Sequence, residues 1–339
     1  MPEKFRLDKG GLINRNKKIS FKFNGKKYFG YEGDTLASAL IANGVHLVGR
    51  SFKYHRPRGF FGAGVDEPYA IVQMNRNNEV DPNVRATEQE LFEGLEAKSV
   101  NCWPNVDFDI GAINNFLGKF FPAGFYYKTF MWPKSFWYKI YEPIIRKAAG
   151  FGAASIKHDK EKYEHKYEYC DLLITGSGPS GLASAYAAAQ NGAKVILAED
   201  KSRFGGSLLT SEVTIGNQSG QEWAEKIISE LKSMPNVVVK NRSQVFGYYD
   251  HNMLVMSERI SDHLPKTEKY IPKQRLWYIR AKEVIISSGS IERPLVFGNN
   301  DTPGVMLSSA AKEYLKVYGV LVGKKPIIFT NNDLSLIHI

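Results

Sequence analysis

A glycine turn between an apolar run and a run of small residues carries the clearest chemistry in this sequence. Residues 171–175 read Asp-Leu-Leu-Ile-Thr, and the turn follows directly. Its residues are Gly176, Ser177, Gly178, Pro179, Ser180 and Gly181. In the dinucleotide-binding βαβ motif, the first glycine permits the tight turn, the second lets backbone approach the pyrophosphate, and the third lets helix pack on strand. We therefore predict a dinucleotide site at 176–181, formed by backbone amides at a helix start.

An acidic pair follows the glycine turn at the spacing that a ribose ligand requires. Residues 194–198 form an apolar second strand, and Glu199 and Asp200 come directly after it. In the βαβ motif an acid about 20 residues past the glycines accepts the ribose hydroxyls. A 2′-phosphate beside these carboxylates would cost roughly 4 kcal/mol for each pair of unit charges at about 4 Å and an effective dielectric of about 20. We therefore predict NAD here, with FAD as the alternative, rather than NADP.

Two more turns of small residues extend the predicted site. Gly205 and Gly206 lie in a turn of the kind that covers a pyrophosphate in two-dinucleotide flavoproteins, and Ser288 and Gly289 end a buried apolar strand. The predicted cofactor-binding residues are Gly176, Ser177, Gly178, Pro179, Ser180, Gly181, Glu199, Asp200, Gly205, Gly206, Ser288 and Gly289. His158, His165 and Cys170 lack the regular spacing of metal ligands, so no metal site is predicted.

The length, composition, cysteine count and net charge of the chain limit the class of protein. The chain has 339 residues, 43% of them hydrophobic, and a net charge of +10, which suits two domains of an ordinary soluble fold. Cys102 and Cys170 are too few for a disulfide framework or a four-thiolate metal site. The charge favours anionic cofactors and acidic partner subunits over nucleic acid, because no nucleic-acid motif accompanies it. The start is charged and no run reaches about 20 apolar residues, so we predict a cytoplasmic protein without a membrane span.

The N-terminal part has the element order of a ferredoxin-like β-grasp domain. A hairpin turns at Asn24-Gly25, Asp34 is the predicted cap of a helix over 35–43, and a loop at 49–59 precedes a strand at 69–74. In plant-type ferredoxins that loop carries the closely spaced cysteines of a [2Fe–2S] cluster. Here the loop has no cysteine. We therefore predict a ferredoxin-like domain without an iron–sulfur cluster.

Two aromatic segments leave alternatives open. In the loop at 49–59, Arg50, Lys53, Arg56 and Arg58 are interleaved with aromatic residues. Such a loop binds RNA, docks on another protein chain or an anionic cofactor, or packs on neighbouring protein, and we favour packing. Residues 112–150 hold many rings outside any regular sheet. They are interpreted either as a surface buried between domains or subunits or as core within this chain.

The elements around the glycine turn are predicted from their patterns. Residues 156–169 are charged and poor in aliphatic side chains, which indicates a linker. The segment 221–233 is predicted as an amphipathic helix. The segments 244–249, 253–257 and 276–280 are predicted to form a small antiparallel layer, and 283–289 a separate parallel strand.

The predicted fold class is α/β, with a cluster-free ferredoxin-like (β-grasp) domain followed by a truncated Rossmann-like two-dinucleotide-binding fold. The predicted domains are 1–100 (ferredoxin-like), 101–168 (aromatic-rich connector), 169–322 (FAD/NAD-binding), 323–333 (start of a second nucleotide-binding domain) and 334–339 (artefactual tail). A lone strand at the end lacks the crossover that a parallel domain needs. Residues 334–339 match a translated sequencing adapter, so we expect the natural chain to continue past Asp333.

The chain resembles the alpha subunits of heterotetrameric sarcosine oxidases. Related large subunits belong to hydrogen cyanide synthase and to opine or proline dehydrogenase complexes. The motifs that carry the resemblance are residues 51–59, 122–133, 176–181, 291–297 and 329–333. The resemblance spans nearly everything from Phe21 to Asp333.

The resemblance implies oxidative demethylation of sarcosine with transfer of a one-carbon unit to tetrahydrofolate. It implies beta, gamma and delta subunits as partners, FMN at the interface with beta, and tetrahydrofolate on a C-terminal part that this chain lacks. Because the amine is oxidised on the beta subunit in this family, no catalytic residue is assigned here. Two other functions stay open: a non-redox assembly subunit with bound NAD, and the large subunit of a related amine, opine or proline dehydrogenase.

Overall fold

A computed structural model describes residues 3–76, 79–120, 124, 130–150, 152–265 and 270–331. It divides the chain into unit 1, which comprises Met1–His158 and Glu292–Ile339, and unit 2, which comprises Asp159–Ile291. The predicted tail at 334–339 lies outside the described residues, as do Asp333 and the rings Phe121, Phe125, Tyr126 and Tyr127 of the aromatic segment. No helix among the described residues has the length and apolar content needed to cross a membrane.

The strands range from 2 to 13 residues in length, and the two longest lie in unit 2. In chain order they are β1 (Asn14–Phe23), β2 (Lys26–Glu32), β3 (Gly49–Arg50), β4 (Pro57–Arg58), β5 (Ile71–Arg76), β6 (Glu79–Arg85), β7 (Glu96–Ser99), β8 (Tyr163–Thr175), β9 (Val195–Ala198), β10 (Thr214–Ile215), β11 (Gln218–Ser219), β12 (Val237–Lys240), β13 (Ser243–Tyr249), β14 (Met253–Arg259) and β15 (Gln274–Ile286). The α-helices are α1 (Leu36–Ala42), α2 (Ile113–Phe116), α3 (Glu142–Ala149), α4 (Pro179–Gln190), α5 (Gly220–Ser233) and α6 (Ser308–Lys316). Short 3-10 turns lie at Ile110–Ala112, Gly118–Phe120, Lys134–Phe136 and Gly206–Leu209, and a π turn at Trp137–Tyr141.

Unit 1 is built on a five-stranded sheet of order β2-β1-β7-β5-β6. β1 and β7 are parallel, and the other neighbours are antiparallel. Every residue of α1 is buried. Its cap is Thr35, whose side chain accepts from Ser38 N–H, rather than the predicted Asp34. Asp34 instead pairs with Arg6 at 2.6 Å, because a buried carboxylate needs a cationic partner.

The basic loop of unit 1 binds protein groups. Arg56 and Arg58 both pair with Asp301, at 2.7 and 2.5 Å. Arg50 donates to Val106 O at 2.8 Å. These contacts agree with the favoured interpretation, in which the loop packs on neighbouring protein.

Unit 2 is built on a six-stranded sheet of order β12-β9-β8-β15-β14-β13. The first four strands are parallel to one another, and β14 and β13 continue the sheet as antiparallel neighbours. Helices α4 and α5 cover one apolar core, which includes Ile174, Leu182, Leu197 and Leu231. A second apolar core includes Leu173, Ile196, Met256 and Ile279.

One prediction for this sheet was wrong and one was incomplete. The predicted linker at 156–169 contains the first half of β8. The three segments predicted as an antiparallel layer do pair antiparallel, but they do so within the main sheet. Both follow from β15, a single strand of 13 residues that pairs with β14 on one side and with β8 on the other. Tyr167 stacks on Tyr278 with ring centres 5.0 Å apart, and cross-strand aromatic pairs of this kind stabilise a sheet.

Candidate nucleotide-binding site

The glycine turn lies where β8 ends and α4 begins, as predicted. Gly176 has φ +95°, and a Cβ there would lie 2.4 Å from Ser287 O. A Cβ on Gly181 would lie 1.9 Å from Gly176 O. Both distances are below any real carbon contact, and the φ of Gly176 is in the left-handed region that favours glycine. The turn therefore has its shape because two of its positions exclude a side chain.

Gly178 differs from the other two glycines because it faces open space. A Cβ at this position would meet no atom within 4 Å. Gly178 is the N-cap of α4, with no side-chain cap bond, and Pro179 follows in the first turn. An uncapped helix start presents backbone N–H groups and the positive end of the helix dipole. The residues present therefore fit a diphosphate laid on this turn.

Glu199 points towards the glycine turn. It follows β9 and is only 6% exposed. Its Oε2 accepts from Ser177 N–H at 2.8 Å and from Ser177 Oγ at 2.5 Å, and its Oε1 accepts from Lys201 N–H at 3.1 Å. Burial, reinforced by a hydrogen bond to the Asp200 carboxyl, raises the pKa of Glu199 to about 7 against the opposing donation from Ser177. The acid predicted to bind ribose thus lies beside the predicted diphosphate position.

The second glycine turn packs on the first. The N–H of Gly205 is shared between Ser177 O at 3.1 Å and Ser177 Oγ at 3.2 Å. Gly205 has φ +121°, and a Cβ on Gly206 would lie 2.9 Å from Gly178 Cα. The sequence placed this turn at the site only by analogy with flavoproteins, and the structure brings it there through Ser177.

The turn after β15 completes the surroundings of Gly176. Ser287 N–H donates to Thr175 O at 2.8 Å. Ser288 Cα would lie 3.3 Å from a Cβ on Gly176, whereas Gly289 is exposed with φ +71°. Sequence reasoning missed Ser287, whose backbone bounds Gly176. Its signal was the run of small residues that ends the strand.

A second buried carboxylate that sequence reasoning missed lies in unit 1. Glu67 is 1% exposed. It accepts from the N–H groups of Phe61, Gly62, Tyr69 and Ala70 at 2.6 to 3.0 Å. The Glu67 carboxylate therefore fixes the backbone between residues 61 and 70 by accepting four of its N–H groups.

Two family models match the chain, one in each unit. Residues 16–102 match the model described as a 2Fe-2S iron-sulfur cluster binding domain, and residues 171–251 match FAD dependent oxidoreductase. The second match contains the glycine turn and Glu199. Together with the structure they confirm the predicted α/β class, with a ferredoxin-like domain followed by a nucleotide-binding fold.

The N-terminal match contradicts the prediction of a ferredoxin-like domain without an iron–sulfur cluster, and that prediction is corrected here. The matched residues contain one cysteine, Cys102. Within the described parts of the chain, no group of three His, Cys, Asp or Glu side chains could hold a metal ion. These residues do not fit a four-thiolate site, so we assign no electron-transfer step to unit 1.

The nucleotide prediction is also revised. NAD was predicted first and FAD second, and the match over the glycine turn is to an FAD dependent oxidoreductase. The adenosine half of both dinucleotides presents the same ribose and diphosphate to this motif. The match therefore favours FAD over NAD at this turn.

Related proteins cover nearly all of this chain. The alpha subunit of a sarcosine oxidase from Rhizobium meliloti (strain 1021) is 52% identical over 97% of this chain and 33% of the relative. The alpha subunit of the enzyme from Corynebacterium sp. (strain U-96) is 30% identical over 96% of this chain and 29% of the relative. An L-proline dehydrogenase from P. horikoshii has the same fold, with a TM-score of 0.59, 20% identity, and coverage of 95% of this chain and 50% of that one.

This chain thus spans about one third of the length of the curated relatives it matches. The identity extends through both units, over 329 residues. The chain is a homologue of sarcosine oxidase alpha subunits over that third of their length.

Proposed function

We propose that this chain belongs to an oxidoreductase that oxidises sarcosine, and that unit 2 binds FAD at residues 176–181. One observation carries the proposal: the glycine turn is open at Gly178 while the Glu199 carboxylate faces the same turn. A diphosphate and a ribose require these two features side by side. The FAD dependent oxidoreductase match over the same residues supports the choice of nucleotide.

The residues of unit 2 have distinct roles in this proposal. The amides of the turn and the start of α4 hold the diphosphate, and Gly178 leaves room for it. Glu199 and Asp200 accept hydrogen bonds from the ribose hydroxyls. Gly205 and Gly206 cover the diphosphate from the second turn. When bound, FAD would supply a two-electron carrier, and no residue of this chain is assigned to the oxidation of the amine, which the resemblance places on the beta subunit.

Unit 1 has exposed apolar side chains that suit contact with other subunits. It exposes a set of large apolar side chains within the aromatic segment and just before it: Trp103, Phe108, Ile110, Ile113, Phe116, Trp132, Tyr138 and Ile144. Apolar side chains exposed in such number mark interaction sites. We propose that they contact partner subunits of the oxidase, which the resemblance identifies as beta, gamma and delta. A cytoplasmic location stays a prediction.

The test is substrate-dependent oxygen uptake by the full-length alpha subunit purified with its partner subunits. Sarcosine is compared with proline and with an opine, because one of the opine oxidase subunits from Agrobacterium tumefaciens (strain Ach5) is 25% identical over 175 residues. We expect turnover with sarcosine and little with the other two. Turnover of proline or an opine without sarcosine would contradict the proposed substrate. A bound nucleotide that none of them reduces would indicate the assembly role instead.

A further inference from the structure

One hydroxyl group joins three parts of the candidate site. Ser177 is fully buried. Its Oγ accepts from Gly205 N–H in the second glycine turn and lies 2.5 Å from Glu199 Oε2. A hydroxyl has one proton to donate, and a carboxylate oxygen is the acceptor here, so the series of hydrogen bonds runs in one direction. The order is Gly205 N–H to Ser177 Oγ, then Ser177 O–H to Glu199 Oε2.

The backbone of Ser177 makes two further hydrogen bonds to the same two residues. Its N–H also donates to Glu199, and its carbonyl also accepts from Gly205. These two bonds would remain in an alanine variant. An alanine variant would lose only Ser177 Oγ, which contacts both Glu199 and Gly205. Glu199 Oε2 would then keep one of its two hydrogen bonds from Ser177.

We propose that Ser177 is a positioning residue for the nucleotide: its hydroxyl fixes the second glycine turn on the first and holds the Glu199 carboxylate towards the ribose. The inference rests on the proposed FAD site and deepens it. Ser177 is the variable second position of the glycine motif, and its side chain is not required for backbone amides to bind the diphosphate.

The protonation state of Glu199 determines how well its carboxyl group accepts hydrogen bonds from the ribose. Asp200 presents a second carboxyl to Glu199, and the Arg259 guanidinium donates to the backbone oxygen of Asp200 at 3.2 Å. Lys201 contributes its backbone N–H, and Lys240 on β12 directs its ammonium to Glu258 at 2.9 Å. Ribose hydroxyls donate to the ionised carboxylate, so FAD binding strengthens as pH rises through the pKa of Glu199. Donation from Ser177 favours the ionised form, and its loss raises that pKa further.

The experiment measures the Kd for FAD across pH 5.5–8.5 with the full chain stripped of nucleotide. Ser177→Ala is compared with Ser233→Ala, at an exposed serine that ends α5 and lies outside the predicted cofactor-binding residues. We expect Ser177→Ala to raise the Kd about tenfold at pH 7 and to move the midpoint of the pH profile upwards. Ser233→Ala is expected to keep the Kd within about twofold of wild type, with an unmoved midpoint.

A second variant separates positioning from simple damage to the fold. In a Glu199→Gln background, adding Ser177→Ala is expected to raise the Kd by clearly less than the tenfold expected in the wild-type background, since part of the Ser177 effect acts through Glu199 and only the contact with Gly205 remains to be lost. Independent, multiplicative effects would overturn the inference, as would a Ser177→Ala protein with the wild-type Kd and midpoint. If the wild-type chain binds no FAD, the proposed function fails as well, so the two failures are distinguishable. Should Ser177→Ala not fold, Ser177→Cys provides the comparison, because its thiol fills the buried position but is only a weak donor and acceptor.

Discussion

At the scale of single residues, the site depends on a buried acid that is held by one neighbouring serine. Glu199 is surrounded by hydrogen-bond donors on the side of Ser177 and by a second carboxyl on the side of Asp200. Taking an isolated carboxylate out of water is costly, so a buried acid of this kind holds its proton more tightly than an exposed one. The residue therefore links nucleotide binding and stability to pH.

Glu199→Gln is expected to remove a pH dependence of stability in the nucleotide-free protein. Because the folded-state pKa of Glu199 is raised from 4.5 to about 7, its contribution is fully present below pH 4.5 and is lost as pH rises through 7. The loss amounts to about 3 kcal/mol. Urea unfolding at pH 5 and pH 8 measures it. Glu222→Gln, at an exposed capping acid whose pKa is lowered, is expected to keep the wild-type dependence. Equal pH dependence in wild type and Glu199→Gln would refute the role of Glu199.

The residue types of this site were predictable, but the contacts between them were only partly so. The three glycines follow from local backbone geometry, which a six-residue motif already contains. The bonds of Ser177 to Glu199 and Gly205 join residues 22 and 28 positions apart, and their formation depends on how β8 and β9 lie side by side. No local pattern in the sequence reports that contact.

At the scale of elements, α4 packs on β8 because Gly181 has no side chain. The Cβ of an alanine there would overlap a backbone carbonyl, which cannot rotate away as a side chain does. The glycine motif therefore fixes the distance between helix and strand as well as the shape of the turn.

Gly181→Ala is expected to lower the free energy of unfolding by about 3 kcal/mol, because helix and strand must separate to accept the methyl group. Gly178→Ala, in the same turn but facing open space, is expected to cost less than about 1 kcal/mol. Chemical denaturation of both variants measures the difference. Two variants of equal stability would show that the helix is not held as closely as the structure indicates.

Elements with strong local patterns were predicted well, and elements defined by distant partners were not. The helix predicted at 221–233 is α5, whose capping box joins Ser219 and Glu222. The first half of β8 was predicted as a linker because charged residues alternate with its tyrosines. Those charges have partners on the neighbouring strand, as in the pair of Glu164 with Arg275 at 2.8 Å. The pairing partner lies about a hundred residues away in sequence, so the pattern alone indicated a solvated segment.

At the scale of the whole molecule, residues beyond 291 belong with the N-terminal unit. Leu307 N–H donates to Phe61 O at 2.9 Å, and Tyr314 OH donates to Gly62 O at 3.0 Å. The sequence placed the end of the nucleotide-binding domain at residue 322. The contacts that assign the segment to unit 1 span about 250 residues and leave no local signal.

The exposed aromatic side chains of unit 1 are expected to serve assembly rather than folding. Phe116 and Trp132 are both 84% exposed, so replacing each by serine is expected to change the free energy of unfolding by less than about 0.5 kcal/mol. Recovery of the partner subunits with the full-length alpha subunit is expected to fall. Ile156→Ser, at another fully exposed apolar residue, is the matched control for both measurements. Undiminished recovery in both aromatic variants would remove this surface from the proposed interface.

The FAD content of the purified protein with and without a side chain at Gly178 tests directly whether the glycine turn holds the diphosphate. Gly178 has extended backbone and open space before it, so Gly178→Val is expected to fold while its side chain fills the diphosphate position. Gly298→Val, at an equally open glycine in unit 1, is the control. We predict that the visible absorbance of an oxidised flavin is present in wild type and in the Gly298→Val control and is lost in Gly178→Val. A folded Gly178→Val protein that keeps the wild-type FAD content would contradict a nucleotide site at this turn.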